Sequence, residues 1–139
     1  MNKLNKKGFT LVELLTTITI LGILMAVAGG AVLIYLKRSR TQAIETIAST
    51  SYDGAVMYLM DRNILLNSGE FIEVSIADLY EGDYIDRPSD PYNSVAMCEG
   101  TVKVTNETTS ITTGLEDYKY EVHVECSSDH TLDQTYPKE

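Results

Sequence analysis

The chain has 139 residues, of which 44% are hydrophobic and 22% charged, with a formal net charge of −9. That length holds one modest domain. The charge is divided unevenly: up to Arg40 there are six Lys or Arg against Glu13 alone, and the remainder carries five basic against nineteen acidic residues. So acidic a second part repels phosphate backbones, which argues against a nucleic-acid partner bound by general charge.

Residues 1–8, MNKLNKKG, form a basic leader with Lys3, Lys6 and Lys7. Residues 9–36, FTLVELLTTITILGILMAVAGGAVLIYL, follow with Glu13 as the single strongly ionisable side chain. The run exceeds the roughly 18 to 20 apolar residues needed to span a bilayer, and a membrane helix is predicted there. Lys37, Arg38 and Arg40 lie beyond its other end, so the positive-inside tendency does not fix orientation by itself. A secretory signal is cut after its apolar stretch, and no such exit site is evident. The conspicuous break is Gly8-Phe9, at the boundary of leader and apolar run.

The segment Lys7 to Glu13, KGFTLVE, closely resembles the type III signal of the type IV pilin superfamily, which includes type II secretion pseudopilins and competence pilins. The resemblance covers about the first third of the chain. It implies cleavage after Gly8 by a membrane-embedded prepilin peptidase, N-methylation of Phe9 and retention of the apolar helix. It further implies a single-pass protein of the bacterial inner membrane, with its N-terminus cytoplasmic before cleavage. The mature form would enter an extracytoplasmic filament, polymerised with other pilin subunits by an assembly platform protein and a cytoplasmic motor ATPase.

Glu13 is a carboxylate inside an apolar helix, a costly placement that calls for a named partner. The resemblance supplies one, the N-terminal ammonium of a neighbouring subunit, so that Phe9 and Glu13 together set the register of assembly. A Glu that merely reaches the headgroups would need no such partner. Gly22, Ala26 and Gly30 recur every four residues, a ridge of small side chains that lets helices approach closely in lipid. Gly29-Gly30 also lowers helix propensity, which leaves open whether the helix loosens there.

Residues 37–67 read as an amphipathic continuation of the helix, through Ile44, Ile47, Ala48, Tyr52, Ala55, Val56, Leu59 and Met60, with a stop near Asn67-Ser68-Gly69. Two helices hinged at Ser39 are the alternative. Residues 68–139 are left for a small extracytoplasmic head, giving an α+β, pilin-like architecture of long N-terminal helix and antiparallel β head. Ser75 with Asp78 reads as a short capped helix, and Pro88 and Pro91 impose a loop. Residues 75–94 partly resemble the loop of major pseudopilins, but Asp83 separates Gly82 from Tyr84, and no calcium role is carried over.

Residues 97–105 and 118–126 both alternate as strands of a hairpin. If Cys98 faces Cys126, then Val102 faces Val122 and Val104 faces Tyr120, and one face collects all of them. An exported chain with two cysteines fits one disulfide between Cys98 and Cys126, two reduced buried cysteines being the alternative. His123 and His130 read as surface histidines, and Asp129 and Asp133 beside Glu125 as a solvated acidic tail. Asn106-Glu107-Thr108 is a formal glycosylation acceptor of little weight. No catalytic constellation, metal site or cofactor motif is read, so a structural subunit is expected rather than an enzyme. The rival expectation is a single-span, membrane-anchored binding module that never polymerises.

Overall fold

The computed structural model describes residues 9–107, 118–127 and 130–137. It divides into two compact units, Met1–Ser39 and Arg40–Glu139, and the helix α1, Leu11–Asp61, contributes to both. In the first unit Gly29 and Gly30 are helical and α1 does not loosen at that pair. Threonine hydroxyls there bond to their own helix: those of Thr16 and Thr17 donate to the carbonyls of Val12 and Leu14 at 2.7 and 2.8 Å. That arrangement suits surroundings with no water to offer.

In the second unit α1 buries Ile44, Ala48, Ser51, Ala55 and Leu59, residues in steps of three and four that form one stripe. The helix ends at Asp61, short of the expected stop at Asn67-Ser68-Gly69. Asn63, at φ 50°, takes the left-handed position, which asparagine tolerates better than most residues. The Asn63 N–H then donates to Met60 O at 3.2 Å and the Ile64 N–H to Leu59 O at 3.0 Å, a Schellman closure with Ile64 folding onto the core. The Asn67–Glu70 segment forms a turn into the sheet instead, with Glu70 N–H on Asn67 O at 3.0 Å.

The sheet is an antiparallel meander of β1 (Phe71–Ser75), β2 (Glu99–Thr105), β3 (Lys119–Cys126) and β4 (His130–Tyr136), in that spatial order. Between β1 and β2 lies the short helix α2 (Ile76–Glu81), capped as expected by Ser75, whose hydroxyl accepts from the Asp78 N–H at 3.0 Å. The register matches the hairpin expectation, with Val102 opposite Val122 and Val104 opposite Tyr120. Cys98 and Cys126 are joined in a disulfide. The even-numbered face carries Val74, Val102, Val104, Tyr120, Val122, Val124 and Tyr136 into the core with Leu59, Ile76 and Leu79. Burial of each large apolar side chain contributes about 1.5 to 3 kcal/mol, so this face and the α1 stripe hold the head together. Tyr52 of α1 binds the two together, edge-on to Tyr120 at 4.9 Å and stacked on Tyr136 at 4.7 Å.

Two further sequence readings change. The expected acidic tail is strand β4, in which Asp133 pairs with His123 across the strands at 2.5 Å; Asp129 lies outside the described residues. Asn106 is fully buried, its amide donating to Leu66 O at 2.8 Å, so the formal glycosylation acceptor is a structural node. It ties the start of the sheet to its second strand, because Gly69 N–H donates to Asn106 O and Asn106 N–H to Glu70 O. Strand β1, which was not read from the sequence, buries only Val74 of its five side chains.

Candidate processing and assembly site

The chemistry suggested by the sequence converges on the start of α1. Thr10 precedes the first helical residue and Glu13 lies in the first turn. The Glu13 N–H donates to Thr10 Oγ1 at 3.2 Å, while Glu13 Oε2 accepts from both the Thr10 N–H and the Thr10 hydroxyl at 3.1 Å. This is a reciprocal capping box, which satisfies two backbone donors that a helix start leaves unpaired. Leu14 N–H on Thr10 O at 3.2 Å closes the first turn behind it. Thr10 was not singled out in the sequence, although Thr-x-x-Glu before an apolar run is a legible signal. Within its own chain, then, the Glu13 carboxylate already has partners.

Around that cap the surface is apolar. Phe9 is 84% exposed, Leu11 81% and Val12 68%, and exposed Leu, Ile and Val side chains continue to Leu36. An 18-residue window of α1 has a mean hydropathy of 2.4 with none of it buried, long and apolar enough to cross a membrane. Such a surface requires lipid or other helices to cover it. Gly22 and Gly30 have open space where a side chain would stand, and Ala26 between them is exposed, so the small-residue ridge is uncovered. Gly8 lies outside the described residues, and the structure places only the Phe9 side of the expected cleavage site.

In the head, the residues weighed for chemistry serve the fold. Among the described residues no group of three or more His, Cys, Asp or Glu is placed to hold a metal ion. Asp90, almost fully buried, anchors the loop between α2 and β2: its carboxylate accepts from the Tyr92 N–H at 2.7 Å and from the Ser127 hydroxyl. Burial pushes this carboxyl up, but the Ser127 hydroxyl, the Tyr92 and Asn93 N–H groups and nearby His130 outweigh it, and the pKa lies below the ordinary value. His130 stacks on the Tyr92 ring at 3.8 Å, and Arg40 of α1 lies 4.9 Å from the centre of that ring.

Residues 3–29 match the family model of the prokaryotic N-terminal methylation motif. No curated protein and no solved structure matches the chain. The match covers the three leader lysines, the capping box and the small residues as far as Gly29. With the long apolar helix that carries it and the small antiparallel head behind, the motif fits a type IV pilin-like protein.

Proposed function

We propose that this chain is a structural subunit of a type IV pilus or of a secretion or competence pseudopilus. It is inserted as a single-pass membrane protein, cleaved after Gly8 by prepilin peptidase, N-methylated on Phe9 and polymerised through α1. The observation that carries this reading is a methylation motif lying directly on an apolar helix with no cover of its own. Removing the leader takes away Lys3, Lys6 and Lys7 and leaves one ammonium at the helix tip. In the filament that ammonium meets Glu13 of a neighbouring copy, while the ridge of Gly22, Ala26 and Gly30 allows close packing of helices. A platform protein and a motor ATPase in the membrane and cytoplasm drive the extraction.

The test is mass spectrometry of the mature chain together with electron microscopy of cells. The expected product begins at Phe9 and carries one N-methyl group, and labelled filaments emerge from the surface. Gly8→Val leaves an uncut precursor, because a β-branched residue resists the close approach a protease requires. A wild-type chain cleaved and methylated but never found in filaments would favour the anchored binding module. The reading of that module draws on the Thr10–Glu13 cap, which satisfies the carboxylate without any neighbour.

A further inference from the structure

Between α2 and the start of β2 the head has a cleft of about 620 Å³, within the size range of ligand sites. Its apolar side comes from Ala77 and Tyr80 of α2 and from Pro88 and Met97 of the following loop, with Tyr80 37% and Met97 42% exposed. Sheet pairing is interrupted beside it. Strand β1 stops at Ser75 opposite Thr101, so on its β1 side β2 has no strand beside Glu99 and Gly100. Such a gap admits an extended chain along the edge.

Glu99 and Glu125 also line the cleft, both exposed and directly opposite each other in the β2–β3 register. Like charges so placed repel. The Cys98–Cys126 disulfide, one residue from each, holds the two strands together against that repulsion. Among the described residues neither carboxylate has an ion pair. Lys119 goes to Glu107 and Glu121, His123 to Asp133, the Arg87 guanidinium to the Val95 carbonyl at 2.9 Å, and Lys103 lies over the Phe71 ring. A cation brought in from outside removes the repulsion and meets two carboxylates at once. No third acidic or histidine ligand stands with them to hold a metal ion among the described residues, whereas the apolar side of the cleft suits a cation carried on an apolar stem.

We propose that the cleft binds an extended peptide segment of a protein partner, in which a lysine or arginine stands two residues from a large apolar side chain. That spacing puts both side chains on one face of an extended chain. The cation sits between Glu99 and Glu125, and the apolar side chain lies on Tyr80 and Met97. Recognition of this kind is separate from polymerisation through α1 and asks nothing of the membrane-spanning segment.

The test is fluorescence anisotropy with the full chain in detergent micelles, empty micelles subtracted. The probes are the labelled peptide Gly-Leu-Ser-Lys-Ser-Leu-Gly, its counterpart with glutamate for lysine, and a third with serine for both leucines. Saturable binding of the lysine peptide is expected, with the glutamate peptide more than about tenfold weaker. Glu99→Gln and Glu125→Gln each weaken the lysine peptide about threefold and together about tenfold, and Tyr80→Ala or loss of the leucines weakens it at least about threefold. The double variant Glu99→Lys with Glu125→Lys reverses the preference to the glutamate peptide, which loss of folding cannot do. Glu73→Gln, which does not line the cleft, changes nothing, and retention of the disulfide shows that each variant is folded. Absence of saturation, equal binding of the lysine and glutamate peptides, or indifference to the double glutamine variant overturns the inference. A loss with Glu73→Gln equal to that with Glu99→Gln overturns it in favour of the head's general acidity. Equal binding of the serine peptide overturns it as well and leaves a plain cation site.

Discussion

Glu13→Gln separates the two roles that the start of α1 allows. Glutamine at the third helical position still reaches back to the Thr10 N–H, so the capping box survives while the charge is lost. Thr10→Ala does the converse, removing the cap at a cost of about 0.5 to 2 kcal/mol and leaving the carboxylate. If the Phe9 ammonium is buried against a neighbour's carboxylate, Glu13→Gln leaves it unpaired, which costs about 3 to 5 kcal/mol per subunit. The larger penalty belongs to the charge, and it recurs at every step of polymerisation. Glu13→Gln and Glu13→Ala should therefore be inserted and cleaved like wild type yet give no filaments from mutant-only cells, while Thr10→Ala gives fewer filaments but not none. The assay is sheared filament mass against mature protein in membranes. Normal filaments from Glu13→Gln with loss in Thr10→Ala would refute the pairing and assign Glu13 to its own helix; failure of cleavage in Glu13→Gln would assign it to peptidase recognition.

Replacing Cys98 and Cys126 together by Ala should lower the stability of the head by about 3 to 4 kcal/mol, as expected for a bridge closing a loop with a sequence separation of 28, measured by urea unfolding in detergent. Asp90 has a depressed pKa, so its contribution is fully present above the ordinary carboxylate value and is lost as pH falls through the folded one. The melting temperature should drop on acidification below about pH 4, and Ser127→Ala should flatten that dependence and cost about 1 to 2 kcal/mol at neutral pH. Gly54→Ala gains ~1 kcal/mol of helix propensity, but its Cβ would stand 2.3 Å from Ile85 Cγ2 and 3.3 Å from the Tyr84 carbonyl. Overpacking of this kind costs about 1 to 3 kcal/mol, so net destabilisation is expected, against a stabilised helix if the site relaxes freely.

What could be read from the sequence follows from which patterns are local. The leader, the Gly8-Phe9 junction and the apolar run are contiguous, and the parity of Cys98 and Cys126 with Val102, Val104, Tyr120 and Val122 fixes the β2–β3 register without knowledge of the rest. Strand β4 was missed because its burial alternates only weakly, and Tyr136 alone among its side chains is fully covered. The end of α1 was misplaced because a glycine was sought where an asparagine in the left-handed conformation closes the helix. Gly100 was likewise silent: a Cβ there would lie 2.0 Å from the His123 carbonyl oxygen, a constraint set by the neighbouring strand and invisible along β2.

The capping box and the apolar surface together bear on how assembly is driven. In the membrane, lipid covers the exposed side chains from Phe9 to Leu36 about as well as neighbouring helices would. If the chain polymerises as proposed, moving the helix from lipid into a filament core gains little from the hydrophobic effect, however large the apolar area. On that reading the difference would come from close packing at Gly22, Ala26 and Gly30 and from polar pairs that lipid does not provide. Glu13 already has its own hydrogen bonds in the single chain, so a neighbour's ammonium would add charge compensation to a group already satisfied. On the proposed reading the Thr10–Glu13 box would separate insertion from polymerisation: the capped carboxylate can be held in the monomer, and the ion pair would form only when a second copy arrives.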